Sequence, residues 1–293
     1  MATQRSPVRW QTLALLVALA LALLVGGIVD PGPASPTYVG SNIRVLAMPY
    51  TYAIAEGEVA GHDVAAIYGE RSAVAVVAAG SDVWGGAATR IPTPDPGGEQ
   101  LVLVSTAGAD DAASTGVRSV VVHYLTPAWA AATETVITDG TTPVNMTYAT
   151  VAYVNGMHAY TVGTGGSAAG VITLYKTGSA ATVYSRIGTG YNASDSSRYR
   201  VPAGRTLYLI GGLVSATSSK ATDVRLLATV HDGALTGGIL LTQHATFLQD
   251  SAMAITFPAP IKIPAGGVVL ARAWTAQSGA DVSVSFGGWE EDE

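Results

Sequence analysis

Residues 201–214 read Val-Pro-Ala-Gly-Arg-Thr-Leu-Tyr-Leu-Ile-Gly-Gly-Leu-Val, and residues 263–274 open in the same way, as Ile-Pro-Ala-Gly-Gly-Val-Val-Leu-Ala-Arg-Ala-Trp. Proline fixes φ and cannot donate to a β-ladder, while glycine supplies the backbone freedom that a tight turn needs. Because a β-prone apolar run follows each turn, both copies predict a strand, a corner and a second strand. We interpret the two turns as related corners of one β-sandwich.

Short strands are predicted along most of the chain after residue 100. They are closed by turn residues at near-regular spacing, a pattern typical of a sandwich or jelly roll. The predicted strands are Leu101–Ser105, Val117–Tyr124, Glu134–Ile137, Thr147–Val154, Met157–Val162, Val171–Tyr175, Val183–Ile187, Arg198–Val201, Thr206–Ser215, Asp223–Val230, Ile239–Phe247, Met253–Phe257, Ile261–Ile263, Val268–Thr275 and Asp281–Trp289.

The pattern before residue 100 is less regular. Ile43–Ile54 predicts a strand region, Glu56–Ile67 a loop, and Arg71–Ala79 either a strand or a short helix. Arg90–Gly98 contains three prolines spaced two apart and predicts a break in extended conformation. No helix is predicted outside Leu13–Val29.

The expected fold class is therefore all-β, with two β-sandwich or jelly-roll-like regions preceded by one N-terminal hydrophobic helix. The predicted divisions are 1–36 for the helix and a proline-rich linker, 37–163 for an N-terminal β-region, and 164–293 for a C-terminal β-sandwich. Asp139-Gly140 predicts a hairpin-type turn, and Asn155-Gly156 predicts either a hairpin or a bulge.

Leu13–Val29 is an uninterrupted apolar run, preceded by Arg5 and Arg9. A helix needs about 20 apolar residues to cross a bilayer, with roughly 17 as the lower limit, and this run lies at that limit. We expect a membrane anchor with its amino terminus inside. The alternatives are a cleaved signal peptide, which the prolines after Asp30 disfavour, and a helix buried in protein.

Composition excludes several classes of function. The formal net charge of −6 disfavours nucleic-acid binding, which depends on Lys and Arg side chains that neutralise phosphates. The absence of cysteine excludes disulfides, thiol chemistry and thiolate metal sites. The acidic tail Glu290–Glu293 is expected to be a solvated end.

Metal-binding patterns are weak. Zinc needs three or four convergent ligands, and no histidine pair has a ligand spacing. Asp110-Asp111 offers oxygens for calcium but lacks the regular spacing of an EF-hand, so turn-forming aspartates are favoured. The histidines are His62, His123, His158, His231 and His244.

Catalytic patterns are equally weak, and we expect no catalytic, cofactor-binding or metal-binding residues and no enzymatic activity. The chain has no Gly-x-Ser-x-Gly elbow, and Gly163–Gly170 lacks the Lys-Ser/Thr end of a phosphate-binding loop. Glu134 and Asp223 are isolated acids rather than a hydrolytic pair. Four tyrosines suit either a sugar-binding platform or cross-strand packing: Tyr148, Tyr153, Tyr160 and Tyr191.

Seven segments occur in an order that resembles a known group of proteins. They are Ser81–Gly86, Leu101–Ser105, Asp110–Arg118, Thr133–Val144, Val162–Ile172, Val201–Leu209 and Ala280–Phe286. Together they resemble an uncharacterised family of β-rich virion proteins from environmental tailed phages, and their common order carries the resemblance. It implies a structural component of a virus particle, of capsid, decoration or head-fibre type, without catalytic residues. The apolar run Leu13–Val29 departs from that family and suggests a virus with an internal membrane or a helix buried in an assembly.

We therefore expect a phage structural protein, located in the virion, that forms or decorates the particle through β-sandwich self-association. The expected partners are copies of itself, other virion proteins and a lipid membrane contacted by Leu13–Val29, with no nucleic acid and no cofactor. One alternative is a membrane-anchored or secreted module that binds carbohydrate or a cell surface. Another is a hydrolase on a β scaffold.

Overall fold

The structure is a computed structural model that describes residues 50–218, 221–229 and 240–293, together with two short strands at 37–38 and 44–45. The predicted helix Leu13–Val29 and His231 lie outside the described residues. Within the described ranges, no helix is long and apolar enough to cross a membrane. The chain divides into two compact units, Met1–Tyr52 and Ala53–Glu293.

The fold is all-β, as the sequence predicts, and every strand pair is antiparallel. The strands are β1 (Thr37–Tyr38), β2 (Arg44–Val45), β3 (His62–Val74), β4 (Ser81–Asp82), β5 (Leu101–Ser105), β6 (Val117–Leu125), β7 (Ala131–Ile137), β8 (Val144–Asn145), β9 (Tyr153–Val162), β10 (Ile172–Lys176), β11 (Ser179–Ile187), β12 (Tyr199–Arg200), β13 (Arg205–Thr217), β14 (Thr222–Ala228), β15 (Leu241–Leu248), β16 (Ser251–Ile263), β17 (Val268–Thr275) and β18 (Ala280–Asp292).

The region before residue 75 differs from its prediction in two ways. A short helix, α1 (Tyr50–Ala55), forms where a strand was predicted, and Gly57 closes it with a φ of 74°. The Gly57 N–H donates to the carbonyl of Ile54 at 2.9 Å, as is common at helix C-termini. The predicted loop Glu56–Ile67 is also wrong in part, because β3 begins at His62. β3 pairs with β18 over most of the length of β3. This long-range pairing leaves no signal in the local sequence.

The described strands of the unit Ala53–Glu293 form four sheets. Sheet A has the order β16-β13-β18-β3, and sheet B has the order β12-β17-β14-β15 with β4 paired to β17. Sheet C has the order β11-β10-β5-β8, and sheet D has the order β7-β6-β9. In the unit Met1–Tyr52, β1 pairs with β2.

Two large hydrophobic cores hold these sheets together, and a small third cluster consists of Leu125, Trp129, Ala152 and Tyr153. Sheets A and B line the first core, with alternate residues of β13 and β17 such as Leu207, Leu209, Val269 and Ala271 fully buried. Sheets C and D line the second core, which includes Leu103 and residues of β6, β9 and β10. A fully buried side chain of this size contributes about 1.5–3 kcal/mol, so each core depends on the alternation of its strands.

The strand pairing does not follow the predicted division between residues 163 and 164. β3 and β4 precede that position, yet they pair with β18 and β17 in sheets A and B. β10 follows it and pairs with β5 in sheet C. The chain thus starts the first core, builds the second and then returns to complete the first, which a local pattern cannot reveal.

The duplicated turns form related corners, as predicted. The first takes the chain from β12 in sheet B to β13 in sheet A, and the second takes it from β16 in sheet A to β17 in sheet B. Gly204 and Gly266 both have a φ of 74°. The Val201 N–H donates to the carbonyl of Gly267, and the Gly266 N–H donates to the carbonyl of Val201, both at 2.9 Å. The two copies are therefore hydrogen-bonded to each other where the sheets meet.

Three other local predictions have clear outcomes. Gly156 lies inside the single strand β9, beside a register shift opposite His123, so the bulge interpretation of Asn155-Gly156 is confirmed. Gly140 adopts the left-handed turn conformation, but β7 and β8 on either side belong to different sheets and do not form a hairpin. The acidic tail is a solvated end only in part: Asp292 and Glu293 are exposed, but β18 extends to Asp292 and Glu290 is buried.

Candidate interaction surface and buried polar clusters

Sheet A presents an apolar surface on the side away from its core, which we call the outward face. One row crosses its four strands in the order Ala254, Leu213, Ser285 and Tyr68. Leu213 is 51% exposed and Tyr68 is 42% exposed, whereas the next residue on β13, Val214, is buried. The alternation of the strands therefore places large apolar side chains on both sides of the sheet.

The adjacent row of the outward face contains small side chains. It crosses the sheet in the order Thr256, Gly211, Gly287 and Ala66. A Cβ added to Gly287 would meet no atom within 4 Å, so packing within the chain does not require glycine there. Glycine inside a strand often marks a place where another backbone approaches closely. The row forms a flat strip beside Leu213.

Charges lie only at the margins of these two rows. Glu70 pairs with Ser283 one row further along, and Lys262 pairs with Tyr208 beyond the bulge of β13. Protein interfaces are depleted of charge at their centre and polar at their rim. The outward face has this arrangement.

One edge of sheet A, the strand β16, is a less suitable surface for pairing than the outward face. β16 is an edge strand of 13 residues and contains Pro258 and Pro260. Proline cannot donate to a neighbouring strand, and natural proteins use it to block edge-to-edge association. A partner is therefore expected on the outward face rather than along β16.

A cavity of about 520 Å³ lies beside β3, β6 and β7 and contains two polar clusters. In the first, the Tyr199 hydroxyl donates to Oε1 of Glu290 at 2.8 Å. Burial raises the pKa of Glu290, while the bond from Tyr199 and the charge of Arg205 oppose the increase. Glu290 is thus held by a phenol and a guanidinium.

The second cluster is a histidine pair, of which His123 lines the cavity. Nε2 of His123 and Nδ1 of His158 are 3.1 Å apart, and their rings are stacked. Burial, and to a lesser extent the neighbouring His158, lowers the pKa of His123. His123 therefore contacts another histidine rather than a carboxylate that would activate it as a base.

The acids that the sequence singled out do not meet. Glu134 lies in sheet D and accepts the backbone N–H of Tyr148 at 2.9 Å, whereas Asp223 lies in sheet B and forms an ion pair with Arg225 at 2.6 Å. Instead, Glu70 and Asp195 line one cleft of about 540 Å³.

The charge of Glu70 affects the pKa of Asp195 in that cleft. Burial raises the pKa of Asp195, Glu70 adds to the increase, and the charge of Arg186 opposes it. The two acids are far apart in the sequence, and β3 brings Glu70 to the loop before β12 through a pairing that local patterns do not indicate.

Asp110, considered above as a calcium ligand, is fully buried and its carboxylate is occupied. Oδ1 accepts the N–H groups of Val117 and Ala169 at 2.8 and 2.9 Å. Oδ2 accepts the Ser105 hydroxyl at 2.6 Å and the Gly170 N–H at 2.9 Å. Since four donors surround the carboxylate, Asp110 joins three segments of the chain and the turn-forming interpretation is the better one.

The four tyrosines do not form one platform. Tyr153 is buried, and Tyr148 packs against Tyr124 with ring centroids 5.1 Å apart. Tyr160 and Tyr191 are exposed. Among the described residues, no group of three or more His, Asp or Glu side chains has a geometry that could hold a metal ion.

Comparisons with known proteins add little. No family model and no curated protein matches the chain. A solved structure described as that of the infectious bursal disease virus Gx strain aligns over 79% of this chain and 81% of the other, with 12% identity and a TM-score of 0.12. A likeness of this size carries no argument about fold or function.

Proposed function

We propose that the protein is a structural component of a virus particle that assembles through contacts between its own copies. The observation that supports this best is the outward face of sheet A, where Leu213 and Tyr68 are exposed beside a flat, uncharged strip. Extended apolar patches with a polar rim mark interaction sites on protein surfaces. The proposal assigns no reaction to the protein.

The proposal includes the type of fold that surrounds each of the two large cores. We take each core, with its two sheets, as a β-sandwich or jelly-roll-like region, which would give the subunit two rigid blocks. The order of the segments that resemble phage virion proteins supports a place in the virion, as capsid, decoration or fibre protein. Other virion proteins are the expected further partners.

The apolar run Leu13–Val29 is proposed as the anchor to a membrane of the particle. Its length meets the lower limit for crossing a bilayer, and Arg5 and Arg9 precede it. Flotation of the full chain with liposomes tests whether this run anchors the protein to a membrane. Removal of residues 1–36 should abolish flotation, and flotation that survives the deletion would contradict the anchor.

Substitution of Leu213 tests the assembly surface. Leu213→Asp places a charge in the uncharged row, and we expect it to weaken self-association about 30-fold, the equivalent of about 2 kcal/mol for a central interface residue. Ile137→Asp is the matched control, because Ile137 is also exposed but lies in sheet D. Sedimentation equilibrium measures both. Equal association of the Leu213→Asp variant and the wild type would exclude the outward face.

A carbohydrate-binding module is the second candidate, favoured by the exposure of Tyr160 and Tyr191. Aromatic rings at the surface are suited to stacking on sugars. A glycan array probed with the wild type and with the double Ala variant of these tyrosines tests it. Binding that the double variant lacks would favour this function, and no binding by the wild type would remove it.

A further inference from the structure

Arg198 is a buried cation with unused hydrogen-bond donors. It is only 4% exposed, and its Nη1 donates to the carbonyls of Ile91 and Pro92 at 2.8 and 2.9 Å. Its Nε and Nη2 are buried without a hydrogen-bond acceptor. Leaving a charged donor unsatisfied in the interior is costly, so this arrangement calls for an anionic partner.

A second unused donor lies beside Arg198. This donor is the hydroxyl of Tyr153, which lines a cavity of about 280 Å³ together with Arg198. The guanidinium of Arg198 stacks over the ring of Tyr153, 4.7 Å from its centroid. Tyr153 is 2% exposed, and its hydroxyl also lacks a hydrogen-bond partner. Stacking brings the guanidinium of Arg198 onto the face of the Tyr153 ring. It leaves Nε and Nη2 of Arg198 and the Tyr153 hydroxyl without an acceptor.

The cavity has an excess of positive charge. Arg90, Arg200 and Arg272 line it together with Arg198, and Asp82 is the one acidic side chain among the described residues of its lining. Four arginines against one aspartate leave three positive charges in excess, in a chain whose formal net charge is −6.

Asp82 does not neutralise Arg198. Its Oδ1 accepts Nε of Arg272 at 2.8 Å and lies 3.5 Å from Nη1 of Arg90, while its Oδ2 accepts the Ile91 N–H at 3.0 Å. Both carboxylate oxygens are thus engaged elsewhere, on the neighbouring arginines and on the backbone.

The positive charges of the arginines also repel one another. Burial lowers the pKa of Arg90, which Asp82 opposes and Arg272 reinforces. Burial likewise lowers the pKa of Arg200, and the charge of Arg198 contributes to the decrease. An anion in the cavity would relieve this repulsion.

We propose that this cavity binds a small oxyanion, the phosphate or carboxylate group of a small molecule, through Nε and Nη2 of Arg198 and the hydroxyl of Tyr153. A guanidinium presents its N–H groups as a planar fork that matches two oxygens of such a group. The phenol supplies a third donor from the adjacent ring. The site is independent of the assembly surface, since it involves β9, β12 and β17 rather than the outward face of sheet A.

Thermal unfolding and calorimetric titration of the full chain test the site. Sodium phosphate and sodium acetate are added in separate series, with sodium chloride at the same ionic strength as the reference. We expect a saturable increase in the midpoint temperature with phosphate or acetate, and the more effective anion identifies the group preferred. Midpoints equal to those in chloride for both anions would overturn the proposal.

Two variants and a control locate the binding. Tyr153→Phe removes one hydroxyl and should weaken binding about tenfold, the equivalent of about 1.4 kcal/mol, and Arg198→Gln should abolish it. Arg225→Gln is the matched control, because Arg225 stacks on Trp274 outside the cavity and should leave the affinity unchanged. If Arg198→Gln fails to fold, Tyr153→Phe alone decides. Wild-type affinity in Tyr153→Phe, or an equal loss in Arg225→Gln, would contradict the assignment.

Discussion

Asp110 holds the second core together through four hydrogen bonds to three chain segments. Asp110→Asn would turn one acceptor into a donor that faces backbone N–H groups. We expect a loss of roughly 2–3 kcal/mol in the free energy of unfolding, measured by urea denaturation.

The control for this variant is the neighbouring Asp111→Asn. Asp111 accepts one exposed N–H, from Ala113 at 3.0 Å, so its replacement should cost little. Calcium should leave the melting temperature of the wild type unchanged, because the oxygens of Asp110 are already engaged. Stabilisation by calcium that Asp110→Asn abolishes would contradict this interpretation.

We expect His123 to make the free energy of unfolding depend on pH. Its pKa is lowered in the folded state, chiefly by burial and then by His158, so the unfolded chain takes up a proton that the folded protein resists. The contribution of His123 is therefore complete above the ordinary pKa of about 6.5 and is lost as the pH falls towards the folded-state value.

Urea denaturation between pH 5 and 8 should show this decline in the wild type and a weaker decline in His123→Gln. His244→Gln keeps the stacked pair and should retain the full dependence. An unchanged pH profile in His123→Gln would show that other groups dominate.

The sequence was informative about single residues where a local rule applies. It predicted the left-handed glycines of the duplicated turns, and it favoured a turn role for Asp110. It could not indicate that Glu70 and Asp195 share a cleft, or that Arg198 and Tyr153 share a cavity, because distant strand pairings bring these residues together. The burial of Glu290 in the acidic tail was missed for the same reason, since its pairing partner β3 lies more than 200 residues earlier.

At the scale of elements, the duplicated turns connect the two sheets of the first core. Gly204 has a φ of 74°, and a Cβ added there would meet no atom within 4 Å. Gly204→Ala should therefore lose only about 1 kcal/mol of unfolding free energy, through backbone strain alone. Gly108→Ala is the control, because a Cβ added to Gly108 would also meet no atom within 4 Å and Gly108 lies outside the left-handed region. Equal unfolding free energies of Gly204→Ala and the control variant would contradict backbone strain at position 204.

Most strands after residue 100 were predictable because their residues alternate and they end at a turn. β5 and β17 begin and end at the predicted residues. The misses include β3, which relies on pairing with the end of the chain, and α1, which is only six residues long. The predicted strand Thr147–Val154 is also wrong, because only Tyr153 and Val154 lie in a strand, at the start of β9. Asp139-Gly140 shows a further limit, since a turn residue specifies a turn but not which strands pair across it.

At the scale of the whole molecule, the first core joins early and late parts of the chain. Leu207 lies at its centre, fully buried on β13. Leu207→Ala should lose about 2–5 kcal/mol, and β3 should lose hydrogen-exchange protection together with β18 because they share sheet A. Loss of protection in β18 while β3 stays protected would contradict a common core.

Self-association is the central claim, and sedimentation velocity of the full chain over a wide dilution series tests it most directly. A protein that builds a particle through the outward face of sheet A should sediment as a defined assembly that persists at low concentration. A single monomeric species at every concentration would contradict the account.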